Sequence, residues 1–249
     1  MKKIHKDVAF YFLIISGYLT FSVLLGNIYM NVSRRACAKP GRGFDTVVID
    51  PGHGGEDSGA VSDSGVFEKD INLDIAQKLK NMLVSSGVKV IMTRQEDCAI
   101  YDEKNTESLR GKKLSDMKNR LEIINSNPNS ILVSIHQNKF TDKKYYGTQV
   151  FYSQNNSSSL NLAENIRNSF KQLIQPDNKR ETKPAGKEIY ILHNAKVPAV
   201  IVECGFVSND EELSKLLDED YKLKVAFSIY CGILNSCLLY TSPSPRDKR

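Results

Sequence analysis

Three residues able to bind a metal or move a proton stand at matching places in the chain. His53 follows the apolar run Val47-Val48-Ile49 across an Asp-Pro-Gly break, His136 ends Ile131–Ile135, and Glu203 ends Ala199–Val202. A fourth, Glu68, opens the helical pattern after the first run, and stepping back from Ile71 and Ile75 puts it on that helix's inward face. An inward carboxylate needs a partner. If the three runs are parallel neighbours, their carboxyl ends share one crevice, where open α/β sheets collect ligands. Two imidazoles and one carboxylate make an open, hydrolytic type of zinc site, and a second carboxylate near the metal's water can serve as general base. The chain has four histidines; His5 precedes the other motifs, and His193 is the reserve ligand or substrate contact.

The elements needed to position these groups alternate strand and helix. Expected strands are Val47–Ile49, Val88–Met92, Ile131–Ile135, Thr148–Tyr152, Glu188–Leu192 and Ala199–Val202. Helices are expected from Glu68 (Ile71, Ile75, Leu79, Met82), over Ser115–Asn125 (Leu114, Met117, Leu121 and Ile124 inward, Arg120 on a neighbouring face), along the stripe Leu162, Ile166, Phe170, Leu173, after a cap at Ser208 or Asn209, and over Tyr221–Leu234. Gln95–Lys113 and Gln175–Gly186 read as polar loops. The fold class expected is α/β, a single domain with a mostly parallel mixed sheet flanked by helices on both faces.

Composition sets the surroundings. The 249 residues carry a formal charge of +5, with +6 on residues 1–44 and +2 on 238–249, which leaves −3 on residues 45–237. The basic stripe of a nucleic-acid binder is missing, so no nucleic-acid partner is expected. Five cysteines (37, 98, 204, 231, 237) form no Cys-x-x-Cys pair or even framework, which argues against a zinc knuckle or disulfide scaffold. Lys2, Lys3 and Lys6 precede an uncharged run from Val8 to Ser33, almost wholly apolar to Leu25. That length is nearer the roughly 20 residues of a spanning helix than the roughly 7–15 of a signal core. The organisation expected is a membrane anchor or signal segment over 1–34, with the retained transmembrane helix favoured, a linker over 35–45, the catalytic domain over 46–237, and a non-native tail over 238–249.

The motifs Val-Val-Ile-Asp-Pro-Gly-His-Gly-Gly (47–55), Glu68-Lys69-Asp70-Ile71-Asn72-Leu73, Thr93-Arg94, Ser134-Ile135-His136-Gln137-Asn138 and Val202-Glu203-Cys204-Gly205-Phe206-Val207-Ser208-Asn209 closely resemble, in order, those of the zinc-dependent N-acetylmuramoyl-L-alanine amidases. The resemblance spans about residues 45–235. It implies Zn2+ held by His53, Glu68 and His136, Glu203 as catalytic acid/base, and Asn138 and Arg94 as substrate-binding residues. The implied substrate is peptidoglycan, cut at the amide between the lactyl group of N-acetylmuramic acid and L-alanine. The short, anchored layout is most similar to the spore-cortex amidases of endospore-forming bacteria. It implies a catalytic domain outside the cytoplasmic membrane, cortex maturation as the role, and an activator protein as a candidate partner. Two other readings stay open: a zinc peptidase acting within the stem peptide, and a non-catalytic anchored wall-binding module.

Overall fold

The computed structural model describes Thr20, residues 44–102 and residues 108–239. Six strands form one sheet in the order β2-β1-β3-β6-β4-β5: β1 Thr46–Pro51, β2 Lys89–Met92, β3 Ser130–Asn138, β4 Gln149–Tyr152, β5 Lys183–Pro184 and β6 Ala199–Phe206. β2, β1, β3 and β6 run parallel, and β4 is antiparallel to β6. The central strands are unbroken apolar runs because both their faces are covered. Val47, Ile49, Ile131, Val133, Val200 and Val202 face one core. Helices α1 (Glu68–Ser85), α3 (Ser158–Leu173), α5 (Asp210–Leu217) and α6 (Glu219–Leu239) contribute to it. Val48, Leu132, Ala199 and Ile201 face the opposite way, against Ile124 of α2 (Leu109–Asn125) and Ile191 and Leu192 of α4 (Tyr190–Asn194). The period of two along each strand carries His136 and Glu203 onto the α2/α4 face, paired directly across β3 and β6.

The single α/β domain with a mixed sheet is as expected, with local corrections at Tyr190–Asn194 and in helix α2. Tyr190–Asn194, overlapping the end of the expected strand Glu188–Leu192, is a helix, and the neighbouring strand is Lys183–Pro184. A short apolar run has no periodicity to separate the two states, and here packing Ile191 and Leu192 onto the sheet decides. Helix α2 begins at Leu109 within the expected loop, where the Ser108 side chain accepts the Gly111 N–H. Its buried residues are Arg120 and Ile124, while Leu114 is 41% exposed. Asn209, rather than Ser208, caps α5 by accepting the Glu212 N–H. The expected anchor over residues 1–34 lies outside the described residues except for Thr20; among the described residues no helix is long and apolar enough to cross a membrane. Helix α6 extends to Leu239, two residues into the expected tail, and residues 240–249 lie outside the description.

Candidate metal centre

The centre is assembled from three strand ends and one helix start. Beyond β1 the chain stays attached to the sheet through Gly52 N–H to Ile135 C=O (3.0 Å), then reverses through three left-handed residues: His53 (φ 63°), Gly54 (136°) and Gly55 (58°). A left-handed histidine is uncommon and must be held by its surroundings. Two buried arginines supply that hold. Arg120 donates to the carbonyls of Pro51 (2.8 Å) and His53 (2.7 Å) and pairs with Asp50 (2.7 Å) and Asp116. Arg94 donates to the carbonyls of Pro51, Gly52, Lys69 and Glu96 at 2.8–3.0 Å. Asp50, fully buried, also accepts from Thr93 and Ser134. Burial opposes its charge, but Arg120 and these hydroxyls outweigh it and bring the carboxyl down to about 2.

Glu68 arrives on the first turn of α1 and lies between the two imidazoles. Its Oε2 is 3.3 Å from His53 Nε2, and its Oε1 is 3.0 Å from His136 Nδ1. The main-chain N–H groups of Ala60 (2.7 Å) and Gln137 (2.9 Å), with the Asn72 amide (3.2 Å), fix its orientation. The histidine rings meet edge to face, 5.0 Å between centroids. Burial would raise the Glu68 carboxyl, but His136 and His53 outweigh it and hold it far below the carboxylate range. Burial likewise pushes against protonation of His53, yet Asp57 and Glu68 hold it up at about 9. Glycine is required at two points of closest approach. A Cβ on Gly52 would stand 2.3 Å from His136 Nε2, and one on Gly59 would stand 2.6 Å from Glu68 Oε2.

The ligand atoms of His53, Glu68 and His136 all lie within 4.8 Å of one another. Two nitrogens and one oxygen converging at that spacing fit a divalent ion with positions left for water and substrate. Glu203 lies beside this set on the cleft wall, in register with His136; its Oε2 is buried and has no hydrogen-bond partner. Burial pushes its carboxyl up to about 7, with the Glu68 charge adding and the two histidines opposing. A carboxyl poised near neutrality on the wall of a cleft, beside a set of residues that could hold a metal, is suited to proton transfer. The cleft that holds it, about 410 Å³, runs between the α2 face carrying Lys112, Lys113 and Met117 and the segment Ile189–Ile191.

The four residues read from the sequence as one cluster are together. The others are not. Arg94, expected at the substrate, is 3% exposed beneath the loop, its guanidinium taken up by main-chain carbonyls. Asn138 ends β3 opposite Phe206 and does not line the cleft. His193 is exposed on α4, away from the cluster. Residues that sequence reasoning passed over include Asp57, whose Oδ2 lies 2.8 Å from His53 Nδ1, and Asn72, which joins Glu68, Gly52 and Gln137. Spacing held a signal for Asn72, one helical turn beyond Glu68, but not for Asp57, which reaches His53 across an irregular glycine turn.

Comparison with known proteins places the chain in a family. A family model described as N-acetylmuramoyl-L-alanine amidase matches residues 47–235. The germination-specific N-acetylmuramoyl-L-alanine amidase of Bacillus subtilis is 34% identical over 188 residues, covering 76% of this chain and 78% of that protein. Among solved structures, the CwlD amidase of Clostridioides difficile, determined in complex with the GerS lipoprotein, is 42% identical with a TM-score of 0.74, covering 77% of this chain and 98% of that one. The AmiC2 amidase of Nostoc punctiforme is 33% identical with a TM-score of 0.64, covering 76% and 95%. With the motifs, the converging ligand set and these likenesses spanning the same residues, the chain belongs to the N-acetylmuramoyl-L-alanine amidases, which act on peptidoglycan.

Proposed function

We propose that the chain hydrolyses the lactyl–L-alanine amide of peptidoglycan as a zinc enzyme, with His53, Glu68 and His136 as ligands and Glu203 as general base and then general acid. The observation that carries the reading is the Glu203 carboxyl, whose Oε2 is buried without a hydrogen-bond partner, set in register with His136 beside the other two ligands. Zinc at such a site lowers the pKa of its water to about 7 and polarises the scissile carbonyl. Glu203 takes the proton from the attacking water and passes it to the departing alanine nitrogen. The three ligands orient the reacting groups, and the cleft between α2 and Ile189–Ile191 receives the substrate beside the scissile amide.

The germination-specific relative and the CwlD likeness support a role in the spore cortex, and the GerS complex supports a lipoprotein as activating partner. The apolar run over Val8–Leu25 supports an anchor that leaves the domain outside the cytoplasmic membrane, where its substrate lies. Asn138 and Arg94 retain a proposed part in substrate binding only at one remove, through the strand end and the loop they support. Metal analysis together with mass spectrometry of digested muropeptides tests the assignment. Zinc near one per chain, with free lactyl carboxylate and intact stem peptides as products, is expected. Shortened peptides would make the enzyme a peptidase, and neither zinc nor products would leave a wall-binding module.

A further inference from the structure

We infer that Asp57 is a positioning residue for the metal: it fixes the tautomer and ring orientation of His53 so that Nε2 is the ligand atom. The inference rests on the metal reading above and adds to it a residue that is not itself a ligand. Asp57 Oδ2 lies 2.8 Å from His53 Nδ1, while Nε2, on the far side of the ring, points at Glu68 Oε2, 3.3 Å away. The carboxylate accepts a hydrogen bond from Nδ1–H, which keeps the proton on Nδ1 and leaves Nε2 as the ring nitrogen facing the other ligands.

The turn is built to make this contact. Residues four apart on an irregular loop have no reason to meet. Here Gly54 and Asp57 exchange both main-chain hydrogen bonds, at 2.9 and 3.1 Å, across the left-handed run His53–Gly55. That closure folds Asp57 back over the imidazole of His53. The second carboxylate oxygen, Oδ1, is held by Lys113 Nζ at 2.8 Å and faces the Gly59 N–H at 3.4 Å, so Oδ2 stays turned to the ring. Lys113 is more than half exposed on the cleft side of α2 and makes a weak lever on its own. The direct Asp57–His53 bond is the part that acts on the metal. Outer carboxylates of this kind typically contribute about 10–100-fold to metal affinity.

The test uses the full chain, stripped of metal and titrated with zinc against a competing chelator. Asp57→Ala is expected to bind zinc about 10–100-fold more weakly, Asp57→Asn to fall between it and the wild type, and Lys113→Met to stay within about threefold. Unchanged affinity in Asp57→Ala, or an equal loss in Lys113→Met, would overturn the assignment. A wild-type chain that binds no zinc would instead sink the metal reading. Long-range nitrogen–proton NMR on the zinc-loaded wild type needs no variant: His53 protonated at Nδ1 is expected, and a metal on Nδ1 refutes the inference even if the variants fail to fold.

Discussion

Adding one methyl group at Gly52 should disable the enzyme while leaving the fold. A Cβ there would stand 2.2 Å from His136 Cε1, 2.3 Å from Nε2 and 2.7 Å from Nδ1. Carbon atoms rest at about 3.5–4.0 Å, so one partner must retreat by more than about 1 Å. The main chain is pinned: the Gly52 N–H bonds Ile135, and its carbonyl accepts from Asn72 (3.2 Å) and Arg94 (3.0 Å). Gly52 is also not left-handed, so alanine meets no backbone strain and the clash is the whole perturbation. The imidazole must therefore move, which disturbs its 3.0 Å contact with Glu68. A misplacement of about 1 Å costs about 100-fold in rate, or about 2.7 kcal/mol of transition-state stabilisation. The assays are kcat/KM on muropeptides, zinc per chain and thermal midpoint, with Gly65→Ala as control. Gly65 is left-handed (φ 84°) with nothing within 4 Å of its Cβ, so that variant carries backbone strain alone and keeps activity. Wild-type turnover and zinc content in Gly52→Ala would refute the packing argument.

Glu203→Gln keeps the shape of the side chain and removes its proton-accepting power, so turnover should fall about 10²–10⁴-fold with zinc retained; full activity would remove Glu203 from the mechanism. His53→Ala and His136→Ala should each lose the metal, as measured by zinc per purified chain, and a chelator should silence the wild type reversibly. Asp50 tests the acid limb of stability. Its folded pKa of about 2 lies below the ordinary 3.8, so its contribution is complete above about pH 4 and disappears as pH falls towards 2. The stability gap between wild type and Asp50→Asn in urea unfolding should therefore narrow by about 2 kcal/mol between pH 7 and pH 2, and parallel pH curves would contradict the assignment.

The chemistry was legible because the strands are. An apolar run buried on both faces is short and unbroken, so the first residue able to bind a metal after it marks the sheet's carboxyl edge. His136 and Glu203 could be placed this way before any coordinates, as could Glu68 from the phase of Ile71 and Ile75. Helix α2 defeated the same logic. Its apolar positions imply a core face through Leu114 and Leu121, yet the side that matters is the row Leu109, Lys112, Lys113, Asp116, Met117 and Arg120, which walls the cleft. Of the expected stripe Ile124 is buried in the core and Met117 lines the cleft, while Leu114 is exposed, so apolar periodicity located this helix's inner side only in part. Arg94 misled for a related reason: in a sequence, an arginine after a strand reads the same whether it meets substrate or main chain.

The two arginines also explain why this site tolerates buried charge. An ion pair such as Arg120–Asp50, 3% and 1% exposed, is a poor investment for stability alone, since an apolar pair of equal volume often does as well. Apolar side chains, however, could not hold the carbonyls of Pro51, Gly52 and His53, which the left-handed turn leaves without partners in a strand ladder. Arg94 and Arg120 between them bond all three. The guanidinium fork offers several donors in a fixed plane, and lysine in either place would leave carbonyls unmet. The cost of burying two cations thus goes into the orientation of His53, and Asp50, Thr93 and Ser134 form the anchor against which that orientation is set.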